Sequence, residues 1–225
     1  DDVALNVVLE QGKALPNAGA YKDYFRWVAT GLEEPMTTHA DRFKYNTGYG
    51  MSAYDKGSIF LSQLQYVIGK ENFDNTLKRY FDDWSFKHPK PNDFIRSAEK
   101  VSGLELDWYL LDWAQSTMTI DYSVNSLYGV DNKTRIVLKR IGQMGMPIDL
   151  RIKLKSGETL DYNIPMTKMR GSKPLQSSTL LKSWSWAKPY YEVWLDVDSK
   201  NISKITIDPK NEMADINRDN NYLVL

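Results

Sequence analysis

Near residue 118 the spacing of apolar side chains switches from a helical period to a strand period, and that switch limits the possible folds more than any other feature of the chain. Before it, Phe60, Leu64, Val67 and Ile68 recur three or four residues apart, as on one face of a helix, with Gly69 as a stop. Phe73, Leu77, Tyr80, Phe81 and Trp84 then form a single apolar stripe, which Pro89 and Pro91 interrupt. A third helix is predicted over 92–101, with Phe94, Ile95, Ala98 and Val101 inward and Gly103 closing it. A fourth starts near Asp107, read as its N-cap, and carries Trp108, Leu111 and Trp113. Upstream, Leu5, Val8 and Leu9 suggest a short helix and Phe25 and Val28 mark another over 21–30, while 31–51 reads as a loop.

After the switch the pattern alternates. Ile136 and Leu138 alternate with Arg135 and Lys139, and Ile148, Leu150, Ile152 and Leu154 with Asp149, Arg151 and Lys153. Ser156-Gly157 sits where a hairpin turn belongs, and Leu160, Tyr162 and Ile164 resume the alternation on the returning strand. Further strands are expected at Tyr191-Val193-Leu195 and at Ile202, Ile205 and Ile207, with Trp184, Trp186 and Trp194 to fill a core. Helices first and strands second predict an α+β chain of two domains: a helical part, 1–118, and an antiparallel β-sandwich of Ig-like type, 119–225.

Composition removes several functions. The 29 basic and 29 acidic residues cancel, so the basic excess that a nucleic-acid partner usually requires is absent. No apolar run approaches the ~18 residues needed to span a bilayer. With no cysteine, disulfides, thiolate zinc sites and a Cys nucleophile are excluded, and the compartment stays open. The two histidines, His39 and His88, fit no H-E-x-x-H spacing, so no His-based metal site and no cofactor site is expected in this chain. The first residue is Asp1 rather than a Met, which reads as a processed or truncated product.

Two tyrosines, Tyr49 and Tyr54, stand out in the stretch Gly48-Tyr49-Gly50-Met51-Ser52-Ala53-Tyr54-Asp55-Lys56-Gly57. A phenol is a neutral hydrogen-bond donor at pH 7, suited to an oxyanion that forms only in a transition state. Because the chain has 14 tyrosines, residue type alone decides nothing; these two are singled out by the Tyr-x-Lys-Gly lead into a strong helix and by their five-residue separation. The competing reading is amphipathic packing at a loop–helix junction. Lys56 could contact a substrate carboxylate, but a local ion pair at a helix start is the favoured reading.

The run Tyr54-Asp55-Lys56-Gly57 with its Phe60/Leu61/Leu64 helix resembles the aminopeptidase-N-type zinc metallopeptidases (gluzincins). So do Phe86-Lys87-His88-Pro89 with Asp93-Phe94, and Ser102-Gly103 with Leu106-Asp107-Trp108. Gly142-Gln143-Met144 with Pro147-Ile148, and Met213-Ala214-Asp215-Ile216-Asn217, resemble the sandwich that follows the catalytic domain in bacterial members. The resemblance implies hydrolysis of N-terminal peptide bonds by a parent enzyme whose zinc is held by H-E-x-x-H and a later Glu. Those residues are expected in a preceding catalytic segment outside this chain, which alone should be inactive. By the same resemblance Tyr54 corresponds to the oxyanion donor and Tyr49 to a second tyrosine of that site. An exported, periplasmic enzyme is compatible with the resemblance. A non-catalytic interaction scaffold that kept the peptidase fold is the alternative.

Three features remain. The helical half is expected to expose an apolar face, open to self-association, where the preceding segment would pack. Asp215-Ile216-Asn217-Arg218-Asp219-Asn220-Asn221 has a calcium loop's alternating oxygens without its sixth-position Gly or twelfth-position Glu, so a polar turn is favoured. Trp184-Ser185-Trp186 with Tyr190-Tyr191 could form a carbohydrate or peptide platform; packing is favoured.

Overall fold

A computed structural model describes residues 17–225, so the helix expected around Leu5, Val8 and Leu9 lies outside the described residues. The chain divides into two compact units. One takes the residues up to Met118 together with Lys210–Ala214, the other Thr119–Pro209 together with Asp215–Leu225.

The first unit is helical. Helix α1 (Ala18–Ala29) buries Ala20, Tyr21 and Tyr24 rather than the expected Phe25 and Val28, because the aromatic residues at i and i+3 are the ones that meet the core. Tyr24 stacks against Trp113 at 6.2 Å. The stretch expected to be a loop contains a 3₁₀ turn (Ala40–Arg42), a short helix α2 (Asn46–Gly50) and a π-turn (Met51–Asp55) that runs directly into helix α3 (Lys56–Ile68). Gly and Asn in this stretch hide the helical pattern, since no apolar stripe accompanies it. Helix α3 buries Phe60, Leu64, Val67 and Ile68 as its spacing predicts, and Gly69 ends it at φ 85°, open to glycine and costly for other residues.

Helix α4 (Lys70–Trp84) carries the expected stripe, but only Phe73 of the five is buried; Leu77 and Phe81 are exposed. Helix α5 (Pro91–Ser102) starts with Pro at its first position, where the missing N–H costs nothing. Its first turn is held by Asp93, whose carboxylate accepts from the Lys90 N–H at 2.7 Å. Gly103 closes it at φ 71°. In helix α6 (Asp107–Ala114) the N-cap is the buried Leu106, and Asp107 is the first helical residue, placed where an acidic side chain favours the helix dipole. Trp108 and Trp113 are buried and Leu111 is exposed.

The short segment Lys210–Ala214 joins this unit through a buried amide. The Gln63 side chain donates to Tyr21 Oη (2.7 Å) and to the Glu212 carbonyl (2.8 Å), and accepts from the Ala214 N–H (3.0 Å).

The second unit has two sheets. Strands β1 (Tyr122–Val130), β2 (Lys133–Arg140) and β6 (Tyr190–Leu195) form an antiparallel sheet in the order β1-β2-β6. Strands β3 (Ile148–Leu154), β4 (Thr159–Ile164), β5 (Thr179–Leu180), β7 (Ile202–Ile207) and β8 (Tyr222–Val224) form the other, ordered β5-β4-β3-β7-β8. The β3–β4 hairpin has the expected register, Leu150 opposite Tyr162 and Ile152 opposite Leu160, with Gly157 in its turn at φ 93°. The architecture is α+β with a sandwich of mainly antiparallel strands; β5, two residues long, runs parallel to β4. Ile136, Leu138 and Val193 from one sheet and Ile148, Ile152, Ile205 and Ile207 from the other are buried. Of the three tryptophans expected in the core only Trp184 is there, its ring 5.4 Å from Tyr122; Trp186 and Trp194 lie on the surface beneath lysine and arginine cations.

Candidate functional site

The two singled-out tyrosines lie on the irregular lead-in to α3. Tyr49 is in α2, its ring edge-on to Phe43 at 5.6 Å, and Tyr54 is in the π-turn. Residues five apart diverge by roughly 140° on an α-helix. The wider π-turn, closed by the Lys56 N–H bonding the Met51 carbonyl five residues back, reduces that divergence. Both rings are open to solvent, Tyr49 by 45% and Tyr54 by 54%. Exposure to this degree does not single them out, since Tyr45, Tyr128, Tyr190 and Tyr222 are open to a similar extent, but it leaves both phenols available as donors.

The opposite side of the turn is buried. Ser52 and Lys56, two residues before and after Tyr54, both face inward. Lys56 Nζ donates to Glu33 Oε1 at 2.5 Å and to the Ser116 carbonyl at 3.1 Å, with both charged side chains under a tenth exposed. The expected ion pair at the helix start therefore exists, but it is buried and reaches 23 residues back instead of being local. Next to Glu33, the Glu34 carbonyl accepts from Ser52 Oγ (3.5 Å) and the Glu34 carboxylate from the Lys44 N–H (3.1 Å). Burial, and secondarily the Glu33 carboxylate, push the Tyr24 phenol well up, so it stays neutral beside the pair. The sequence offered only a weak signal for this arrangement: a lysine opening a largely apolar helix calls for an anion, but Asp55 and Asp41 lie nearer in the chain than Glu33 and Glu34.

Other candidates have local roles. His39 Nδ1 accepts from the Asp41 N–H at 3.2 Å, capping the 3₁₀ turn, and His88 is exposed. In the would-be calcium loop, Asp215 accepts from the Tyr122 and Asn217 N–H groups, and Asn220 donates to Asp121. Burial pushes the Asp215 carboxyl up to about 7, against the lowering effect of those two N–H donors. Within this stretch the Asp215 carboxylate is thus engaged by backbone N–H groups. Among the described residues no three His, Asp or Glu side chains stand together as a metal would require, so the zinc implied by the resemblance has no fitting donor set in them. No helix in these residues is long and apolar enough to cross a membrane.

Comparison with known proteins points at the same segment. Residues 22–113, which contain Tyr49, Tyr54, Glu33 and Lys56, match the peptidase family M1 domain. Aminopeptidase N of Escherichia coli (strain K12) is 25% identical over 71 residues, 32% of this chain and 8% of that protein. Glutamyl aminopeptidase of Rattus norvegicus is 31% identical over 83 residues, 37% of this chain and 8% of that protein. The structure of Legionella pneumophila aminopeptidase A in complex with aspartic acid superposes with a TM-score of 0.50 at 16% identity, over 75% of this chain and 18% of that one, a likeness of fold. The matches thus span a small part of each relative's length.

Proposed function

We propose, from a helical half of the aminopeptidase-N type, that this chain supplies one wall of the active site of a zinc aminopeptidase that removes residues from peptide N-termini. In this reading 1–118 is the helical part of a catalytic domain and 119–225 an Ig-like sandwich that follows it in the chain. Tyr54 is the catalytic residue of the chain: its phenol donates a hydrogen bond to the oxyanion of the tetrahedral intermediate. Tyr49 lines the same wall. Zinc, were it held by residues outside the described set, would supply Lewis-acid chemistry; the part assigned to this chain is donation by a pre-oriented phenol, worth about 2.7–4 kcal/mol in a water-poor site.

One observation carries the reading: within the M1-matched segment, Tyr54 is held on a π-turn with its ring exposed and the turn's other side fixed by a buried ion pair. A neutral donor on a rigid backing is what oxyanion stabilisation needs, because no reorganisation is then required as charge develops. The test is hydrolysis of a panel of aminoacyl p-nitroanilides by the full-length gene product and by residues 1–225 alone. Turnover by the full-length protein, abolished by a chelator and absent from the shorter chain, is expected. A full-length protein that binds zinc yet hydrolyses no member of the panel would leave the scaffold reading instead.

A further inference from the structure

We propose that the buried Glu33–Lys56 ion pair is a positioning device for Tyr54, locking the π-turn so that the phenol points at the reacting carbonyl; this rests on the reading of Tyr54 above. Lys56 holds the turn in two ways. Its backbone N–H closes the turn onto the Met51 carbonyl, and its ammonium reaches Glu33 and the Ser116 carbonyl. The other end of the turn, Ser52, is tied to Glu34, the neighbour of Glu33. Tyr54 therefore sits midway between two anchors that share a two-residue strap, and its side chain emerges on the face away from them.

Stability alone does not explain a charged pair there. Desolvating an ammonium and a carboxylate offsets much of their attraction, and apolar residues of similar volume commonly hold a fold as well or better. A charge pair with a third partner instead fixes direction: the ammonium has few arrangements that satisfy both Glu33 Oε1 and the Ser116 carbonyl. A π-turn needs such fixing, because its irregular hydrogen bonding lies close in energy to a regular α-helical path. Slipping to that path would rotate Tyr54 relative to everything after Lys56.

The experiment is a double-mutant cycle in the full-length enzyme. Glu33→Gln/Lys56→Met removes both charges together and so leaves no orphaned ion. It should lower kcat by about ten- to a hundredfold, as misplacement of a reacting group by about 1 Å does, with KM nearly unchanged. In a Tyr54→Phe background the same pair of changes should cost less than about twofold, since there is no phenol left to aim. Equal losses in the two backgrounds, or no loss in a wild type whose turnover Tyr54→Phe does impair, overturn the proposal. Should the double variant fail to fold, Lys56→Arg, which keeps the charge but alters the reach, is put through the same cycle. 3-Fluorotyrosine placed at position 54 separates this proposal from the catalytic reading. A single fluorine environment in the wild type that becomes several or averaged in the variant supports positioning even if Tyr54→Phe leaves turnover intact. An unchanged spectrum overturns it.

Discussion

Gln63→Leu is the sharpest stability test of the helical unit, because the side chain it replaces is wholly buried and every polar atom of its amide is used. Leucine has nearly the same volume, so no large cavity opens and the loss is one of hydrogen bonding. The Glu212 carbonyl keeps a partner in Tyr21 Oη, at 2.6 Å, so removing the Gln63 donor there costs only an ordinary net hydrogen bond. The Ala214 N–H has no such alternative: it donates to Gln63 Oε1 and lies in a residue with no exposed surface. An orphaned buried donor costs about 1–3 kcal/mol, and the two lost donations about 0.5–1.5 kcal/mol each after water exchange, giving a total of roughly 2–6 kcal/mol. Urea unfolding should show a lower midpoint with an unchanged m-value. Gln63→Glu, which keeps an acceptor for Ala214 but loses both donors, should not match it in mechanism: its loss should shrink at low pH, where the carboxylic acid regains one donor. A Gln63→Leu midpoint within about 0.5 kcal/mol of wild type would refute the view that this amide pins Lys210–Ala214 to the helices.

Lys56→Met alone should destabilise by about 3–5 kcal/mol, because it strands the Glu33 carboxylate, and Glu33→Gln/Lys56→Met by much less, both read from urea midpoints. Burial raises the Asp215 carboxyl to about 7 from an ordinary 3.8, so the folded state holds a proton that the unfolded chain has released. Stability should therefore fall as pH rises from about 4 to about 7 and level off above, a span worth roughly 4 kcal/mol, and Asp215→Asn should flatten that slope in urea titrations across the range. Gly142→Ala should cost about 3 kcal/mol or more, since an added Cβ would overlap the Thr119 carbonyl and lie 2.6 Å from the Asp121 nitrogen, both backbone atoms that cannot step aside; thermal unfolding measures it.

Much of the fold is local chemistry and so could be read from spacing. The α3 stripe, the glycine stops at Gly69 and Gly103, and the β3–β4 hairpin around Gly157 are each decided within a few residues. Periodicity shows which face of a helix is apolar, not whether anything covers it, which is why Leu77 and Phe81 of α4 carry the predicted stripe and yet stand exposed. The tryptophans failed for a similar reason. Alternation places Trp194 on one side of β6, and only the register against Arg135 shows that this is the outer side. The short strands β5 and β8, with two and three residues, have too little pattern to detect.

At the candidate site the tyrosines were legible as a motif, while their setting was not. The π-turn leaves no compositional mark, since its residues Met51-Ser52-Ala53-Tyr54-Asp55 would suit an α-helix as well. Glu33 is one of 29 acidic residues, and only the fold brings it to Lys56 across 23 positions. Nothing in the spacing marks Gln63, whose amide finds two of its three partners only through the return of Lys210–Ala214. Long-range pairing of this kind depends on topology, which residue spacing does not encode.

The account turns on the Tyr54 phenol, and single-turnover hydrolysis of an aminoacyl p-nitroanilide by the zinc-loaded full-length enzyme tests it most directly. Tyr54→Phe removes one oxygen from an exposed ring and leaves the buried anchors in place. The chemical step should slow by about a hundredfold or more, with zinc content and KM close to wild type. A Tyr54→Phe enzyme that turns over at the wild-type rate would contradict the central claim.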